Sequence, residues 1–245
     1  MPQYTIALDQ LPAAIRSKID ALPPSLRLLL DNGLSRTDAW EGVVQPYLDW
    51  LDGAVNAPAS LWPTRILMQD TAGVAALVNF AAVRDAMAGR EGSGAPIEPT
   101  VPIDLVIDHS VQVDAYGAPD ALRHNEALEV ERHKERYIFF KWCEQAFSSL
   151  RIVPPGRGIC HQINLEDLCA IAKPDDKVQG RLVPEILIGT DSHTTMVNAL
   201  GIMGWGVGGL EAEMVAWGGA LHIALPPVTR IVLSGCLPPD ATATD

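Results

Sequence analysis

Three short apolar runs in this chain end in closely similar polar clusters, and that repetition constrains the fold more than any other feature. Residues 65–68 (Arg-Ile-Leu-Met) lead into Gln69-Asp70, and residues 101–107 lead into Asp108-His109-Ser110. Residues 182–188 lead through Gly189-Thr190 into Asp191-Ser192-His193. Apolar runs of this length, bounded by turn residues, read as buried strands. Between them lie segments 73–87, 125–150 and 210–221, whose apolar residues recur at helical spacing, as Tyr137, Phe140 and Phe147 do. Residues 228–233 read as a last strand before the Pro238-Pro239 turn. Strand–helix alternation at this spacing predicts an α/β fold, a doubly wound and mostly parallel sheet with helices on both faces. In such sheets, ligands sit at the carboxyl ends of the strands, where the three polar clusters fall.

The first 60 residues read differently. Leu22-Pro23-Pro24-Ser25 precedes Leu26, Leu28, Leu29 and Leu30, a helix start with Ser25 in the N-cap position. Val43, Val44, Tyr47, Leu48 and Leu51 repeat close to every 3.6 residues. Residues 58–63 read as a linker. The expected organisation is a helical segment over 1–60 packing on an α/β domain over 61–245.

The polar clusters suit proton transfer on a polyanionic substrate. A histidine held by an aspartate is fixed in one tautomer, and its imidazolium form is stabilised. Asp108-His109 and Asp191-Ser192-His193 offer that pairing, and His161 follows the glycine-rich turn at 156–158. The Gln69 amide and the Ser192 hydroxyl can hydrogen-bond a carboxylate. Each element also has a plainer reading: Asp191-Ser192 as a helix N-cap, Asp108-His109 as a loop cap, His161 as a hydrogen-bonded core residue. The recurrence at successive strand ends favours the functional one. A hydrolase triad is not expected from Asp191-Ser192-His193, because consecutive side chains diverge and no G-x-S-x-G elbow is present.

Other chemistries fit less well. Gly204-x-Gly206-x-x-Gly209 is formally a dinucleotide fingerprint, but it follows no clear strand and lacks the acidic residue expected about 20 positions on. Its glycines read better as close backbone packing. With 30 acidic against 18 basic residues, the net charge of −12 makes nucleic acid a poor partner. No apolar run approaches the roughly 20 residues of a membrane span, and residues 1–22 do not read as a secretory signal, so the expected address is the cytoplasm. Cys143, Cys160, Cys169 and Cys236 form no C-x-x-C pair and read as small buried residues in a reducing compartment.

Set together, the segments Arg65–Gln69 with Asp70, 106–113 (Val-Ile-Asp-His-Ser-Val-Gln-Val), 154–162 (Pro-Pro-Gly-Arg-Gly-Ile-Cys-His-Gln) and 188–196 (Ile-Gly-Thr-Asp-Ser-His-Thr-Thr-Met) resemble the aconitase family. The resemblance is strongest to the branch holding bacterial aconitase A and the cytosolic iron-regulatory protein. Segments 22–30, 131–137, 204–211 and 237–245 fit that branch too, so nearly the whole chain is covered in order. It implies a three-layer α/β/α domain at the N-terminal end of a larger enzyme that reversibly dehydrates hydroxy-tricarboxylates such as citrate and isocitrate. By resemblance, Gln69, Asp191, Ser192 and His193 are substrate-binding positions, with Asp191 and His193 also catalytic. Asp108-His109 corresponds to the pair assisting the leaving hydroxyl, and His161 to a further active-site histidine.

The family also implies a [4Fe–4S] cluster that acts as Lewis acid on the substrate. Its three cysteine ligands fall in regions with no counterpart in this chain, as do the base serine and the arginines that clamp the substrate. The expected function is therefore half of a hydro-lyase site, completed by a second aconitase-like polypeptide that carries the cluster. The alternative is a truncated or repurposed domain that binds a small carboxylate or a protein partner without catalysis.

Overall fold

The computed structural model describes residues 7–37, 39–91, 97–107, 112–160, 164–175, 180 and 182–242. Nine strands form among them. In chain order they are β1 (Pro58–Leu61), β2 (Arg65–Gln69), β3 (Ile103–Val106), β4 (Leu150–Val153) and β5 (Ala172–Pro174). There follow β6 (Leu182–Pro184), β7 (Ile186–Gly189), β8 (Met203–Gly206) and β9 (Leu221–Ala224). The helices are α1 (Ala13–Ile19), α2 (Pro24–Leu34), α3 (Trp40–Leu51), α4 (Asp70–Glu91), α5 (Ala121–Arg132), α6 (Lys134–Ala146), α7 (Leu165–Leu168) and α8 (Gly209–Ala216). A 3-10 helix covers Thr194–Leu200.

Five strands make one parallel sheet in the order β4-β3-β2-β7-β8, with β2 at its centre. The chain steps outward from β2 to β3 and β4, then crosses back to place β7 and β8 on the other side. This is the doubly wound α/β arrangement that strand–helix alternation predicts. Strands β3 and β7 are buried along their whole length, as covered parallel strands must be. Alternate residues face opposite ways. Ile66, Met68, Ile103, Leu105, Ile186 and Ile188 share the larger core with Leu77 and Phe80 of α4, Phe140 and Cys143 of α6, and Val215 of α8. Leu67, Val106 and Leu187 face a smaller core with Leu165, Leu168 and Val197. Each fully buried aliphatic side chain contributes about 1.5–3 kcal/mol relative to exposure.

The same larger core takes in Leu26, Leu29 and Leu30 of α2 with Val44 and Tyr47 of α3. Strand β1 pairs antiparallel with β9, from Pro58↔Ala224 to Leu61↔Leu221. Of the described helices, none is long and apolar enough to cross a membrane.

Several elements differ from their sequence expectation, each for a local reason. Residues 58–63 are no simple linker, since four of them form β1. Helix α2 begins at Pro24 after Pro23, with no side-chain cap, so Ser25 lies inside the first turn. Proline at N1 has no N–H to leave unsatisfied and a φ already set for the helix. Segment 125–150 is two helices and the start of β4; His133 (φ −114°, ψ 23°) parts α5 from α6. Segment 182–188 is two strands, because Pro184 cannot donate to a ladder and Glu185 turns its carboxylate inward. β6 pairs with β5, while β7 enters the main sheet. Helix α8 stops at Ala216, where Gly218 adopts φ +89° and bonds back to Val215. Residues 228–233 form no strand. The β1–β9 ladder closes with Leu225 N–H donating to Ala57, after which Pro226 and Pro227 offer no donors. Ile231, Val232 and Leu233 are therefore exposed at 79%, 70% and 92%.

Candidate active site

The gap between β2 and β7 is where the connections diverge, the point at which open parallel sheets bind ligands. The register Leu67↔Gly189, extended by the Thr190 N–H donating to Leu67 O at 3.1 Å, sets the carboxyl ends of these strands side by side. Gln69 thus ends one wall, and Asp191, Ser192 and His193 follow the other.

The 191–193 turn is tightly built. Asp191, only 8% exposed, accepts the His193 N–H on Oδ2 at 2.8 Å, an Asx-turn. Its carbonyl accepts the Thr194 N–H at 3.1 Å and the Thr194 hydroxyl at 2.7 Å. Gly189 makes room for this fold: a Cβ there would lie 2.2 Å from Thr194 Oγ1. The 3-10 helix that follows packs as closely on Gly204, where a Cβ would meet Val197 at 2.2 Å and the Thr194 carbonyl at 3.0 Å. Of the glycine-rich stretch, Gly204 and Gly206 lie in strand β8 and Gly209 opens α8, and Gly204 serves this close approach.

Consecutive side chains in this turn do not diverge. Ser192 Oγ stands 3.2 Å from His193 Nδ1, and Asp191 Oδ2 stands 3.4 Å from the same nitrogen. The φ/ψ of the Asx-turn bends the backbone enough to bring three adjacent side chains onto one ring edge. If Nδ1 carries the proton it faces the carboxylate; if not, it accepts from the serine, so the tautomer is coupled to both neighbours. Ser192 is exposed, and half of the His193 side chain faces solvent.

On the opposite wall, the Thr71 hydroxyl donates to Gln69 Oε1 at 3.2 Å. Asp70 is fully buried and lies 3.1 Å from Arg136 Nη1. Arg136 Nη2 reaches Glu129 Oε1 at 3.1 Å, and the Tyr137 hydroxyl donates to the same oxygen at 2.6 Å. Burial, with the Glu129 carboxylate, pushes the Tyr137 hydroxyl up to about 12. Sequence reading did not single out Arg136, Glu129 or Thr71; they lie within ordinary helical segments, and only the fold brings Arg136 and Glu129 to the end of β2.

Asp108, His109 and His161 lie outside the described residues. Their flanks are firmly held. Ile107 N–H donates to Val153 O at 3.1 Å, and Asn125 clamps the turn at Asp114 and Ala115 with three hydrogen bonds. Asn164 donates to the carbonyls of Gly158 and Ile159.

The cysteines do not form a cluster site. Cys143 belongs to the larger core, Cys160 to the smaller one on the other face of the sheet, and Cys169 packs against that smaller core. Cys236 is exposed in the 226–242 segment. Burial pushes the Cys143 and Cys169 thiols up to about 12, which works against the thiolate an iron ligand must be. Among the described residues no group of His, Cys, Asp or Glu is arranged to hold a metal. In a thiol-labelling time course at pH 8, Cys236 is expected to react within the first phase, while Cys143, Cys160 and Cys169 react only on unfolding. Rapid modification of Cys143 in the native chain would contradict its placement.

The fold is an open parallel α/β domain in which Gln69 and the Asp191-Ser192-His193 turn follow the carboxyl ends of the adjacent strands β2 and β7. The family model of aconitase (aconitate hydratase) matches residues 42–245. Aconitate hydratase A of Rickettsia conorii is 48% identical over 225 residues, covering 91% of this chain and 25% of that protein. The Legionella pneumophila protein of the same name is 45% identical over 232 residues, covering 93% of this chain and 26% of the relative. The Salmonella typhimurium protein is 46% identical over 244 residues, covering 96% and 27%. The chain belongs to the aconitase family, and it spans about a quarter of the length of the relatives it matches.

Proposed function

We propose that this chain supplies the substrate-carboxylate wall of an aconitase-type hydro-lyase that dehydrates and rehydrates a hydroxy-tricarboxylate such as citrate or isocitrate. What supports the reading is the register of β2 with β7, after whose carboxyl ends come Gln69 on one strand and the hydrogen-bonded Asp191-Ser192-His193 turn on the other. The Gln69 NH2 and Ser192 hydroxyl donate to one carboxylate, and a ring N–H of His193, oriented by Asp191, donates to a second. Asp108-His109, with His161, protonates the departing hydroxyl, which leaves as water. The remaining groups, including the base that takes the proton from carbon, come from outside these residues. The [4Fe–4S] cluster that the family implies finds no fitting ligands among the described residues, and in this reading it would be held by aconitase-like regions beyond them, on a second polypeptide or on a longer form of this one.

Reconstitution tests this. The chain is mixed with a polypeptide carrying the other three quarters of an aconitase, and cis-aconitate absorbance is followed. Turnover of citrate is expected from the pair and not from this chain alone. A pair that loads iron and turns over no hydroxy-tricarboxylate overturns catalysis; citrate binding to this chain would then support a non-catalytic carboxylate binder. Ser192→Ala should weaken citrate binding about tenfold or more, the scale of a hydrogen bond to a charged group.

A further inference from the structure

Behind Gln69 runs a chain of buried charge that the proposed chemistry does not use. Asp70, wholly buried, is the residue after Gln69 and the first of α4. Arg136 sits in the first turn of α6 yet grips Asp70 at the end of β2 and Glu129 at the end of α5, each at 3.1 Å. Glu129 is itself 2% exposed and takes a further hydrogen bond from Tyr137. Helix α6 is already held by Phe140 and Cys143 in the larger core. Apolar side chains would add to that packing without the penalty of drawing ions out of water. What an ion chain adds is direction, because one planar guanidinium with a separate nitrogen on each carboxylate fixes the two relative to each other. The carboxylate so fixed belongs to the residue following Gln69, whose own amide oxygen is engaged by Thr71 at 3.2 Å.

We infer that Arg136 is a positioning residue of the ligand site: by holding Asp70 it fixes the end of β2, so that Gln69 presents its amide donor to a substrate carboxylate. This rests on the ligand role proposed for Gln69. Arg136 makes no substrate contact in this scheme, and its effect travels through one neighbour.

The test uses the 245-residue chain. Citrate affinity is measured calorimetrically for the native protein, Arg136→Gln, Gln69→Ala and the double variant, and 15N relaxation of the Gln69 side-chain amide is recorded without ligand. Arg136→Gln is expected to weaken citrate binding about tenfold, and to add nothing once Gln69 is alanine. The Gln69 amide should become more mobile in Arg136→Gln, while Arg136→Lys, which keeps the charge and loses the fork, falls between. An equal loss of affinity with and without Gln69, or an unchanged amide relaxation beside a lowered melting temperature, overturns the inference. If Arg136→Gln does not fold, Arg136→Lys and Asp70→Asn carry the same comparison. Failure of the ligand role itself looks different, since native chain and Gln69→Ala would then bind citrate equally or not at all.

Discussion

Asp104→Ala is expected to lower the unfolding free energy by about 3–5 kcal/mol, the scale for breaking a buried ion pair from one side. Asp104 stands in the middle of β3, 2% exposed. Its Oδ2 is 2.5 Å from Arg65 Nη1 on β2, and its Oδ1 is 2.6 Å from Arg151 Nε on β4. Arg65 reaches on to Glu185 at 2.6 Å, and the other Glu185 oxygen accepts the Ala170 N–H at 2.7 Å. One carboxylate thus ties three adjacent strands, and its loss strands the Arg65 cation with a single partner. Burial works against the Arg65 charge, but the hydrogen bond and field of Glu185, with Asp104, outweigh it and raise its pKa. Urea melts of Asp104→Ala and of the triple variant Arg65→Met/Asp104→Leu/Glu185→Gln measure the effect. The triple variant, which removes the Arg65 cation together with both buried carboxylates it pairs with, should lose less than Asp104→Leu alone. A loss below about 1 kcal/mol in Asp104→Ala, the range of exposed pairs, would show the network to be solvated instead.

Gly189→Val is expected to cost about 2–4 kcal/mol and to abolish carboxylate binding at the 191–193 turn. Overpacking a tight contact costs about 1–3 kcal/mol, and the lost hydrogen bond adds about 1 kcal/mol. The new side chain would strike Thr194, which is fully buried and whose hydroxyl holds the Asp191 carbonyl at 2.7 Å. Relief can come only by swinging the turn outward, which separates Ser192 from His193. In a Gly189→Ala/Thr194→Ala cycle, the double variant should lose less than the sum of the singles, because each removes the other's obstruction. Strict additivity, or native citrate affinity in Gly189→Val, would show that the turn does not depend on this contact.

The two predictions fall on opposite sides of what local sequence shows. Gly189 and the Asp191-Ser192-His193 turn were legible, because an apolar run ending in small and polar residues marks a strand end wherever it occurs. So was Gln69. Asp104 was not, because a charge within an apolar run has no meaning until the neighbouring strands supply Arg65 and Arg151. Arg136 is hidden for the same reason: among the charges of residues 131–136, only the packed sheet distinguishes the one that reaches Asp70. Strand β8 reads as a loop because Met-Gly-Trp-Gly lacks branched residues, and its pairing with β7 comes from the fold. Segment 228–233 misled in the opposite sense, having strand composition and no pairing strand among the described residues. No glycine or proline marks the break between α5 and α6.

The β1–β9 ladder carries a consequence for how the chain is made. Its four pairs join residues 58–61 to residues 221–224, segments far apart along the chain. During synthesis, which runs from the N-terminus, β1 must therefore wait with its ladder edge open until Ala224 has cleared the ribosome. Helices α2 and α3 can gather early, through contacts close in sequence, but the seam beside them closes last. Contacts of such long separation are slow to form, and open edges are adhesive meanwhile. A nascent chain halted before β9 should bind holding chaperones, and emergence of β9 from the ribosome should release it.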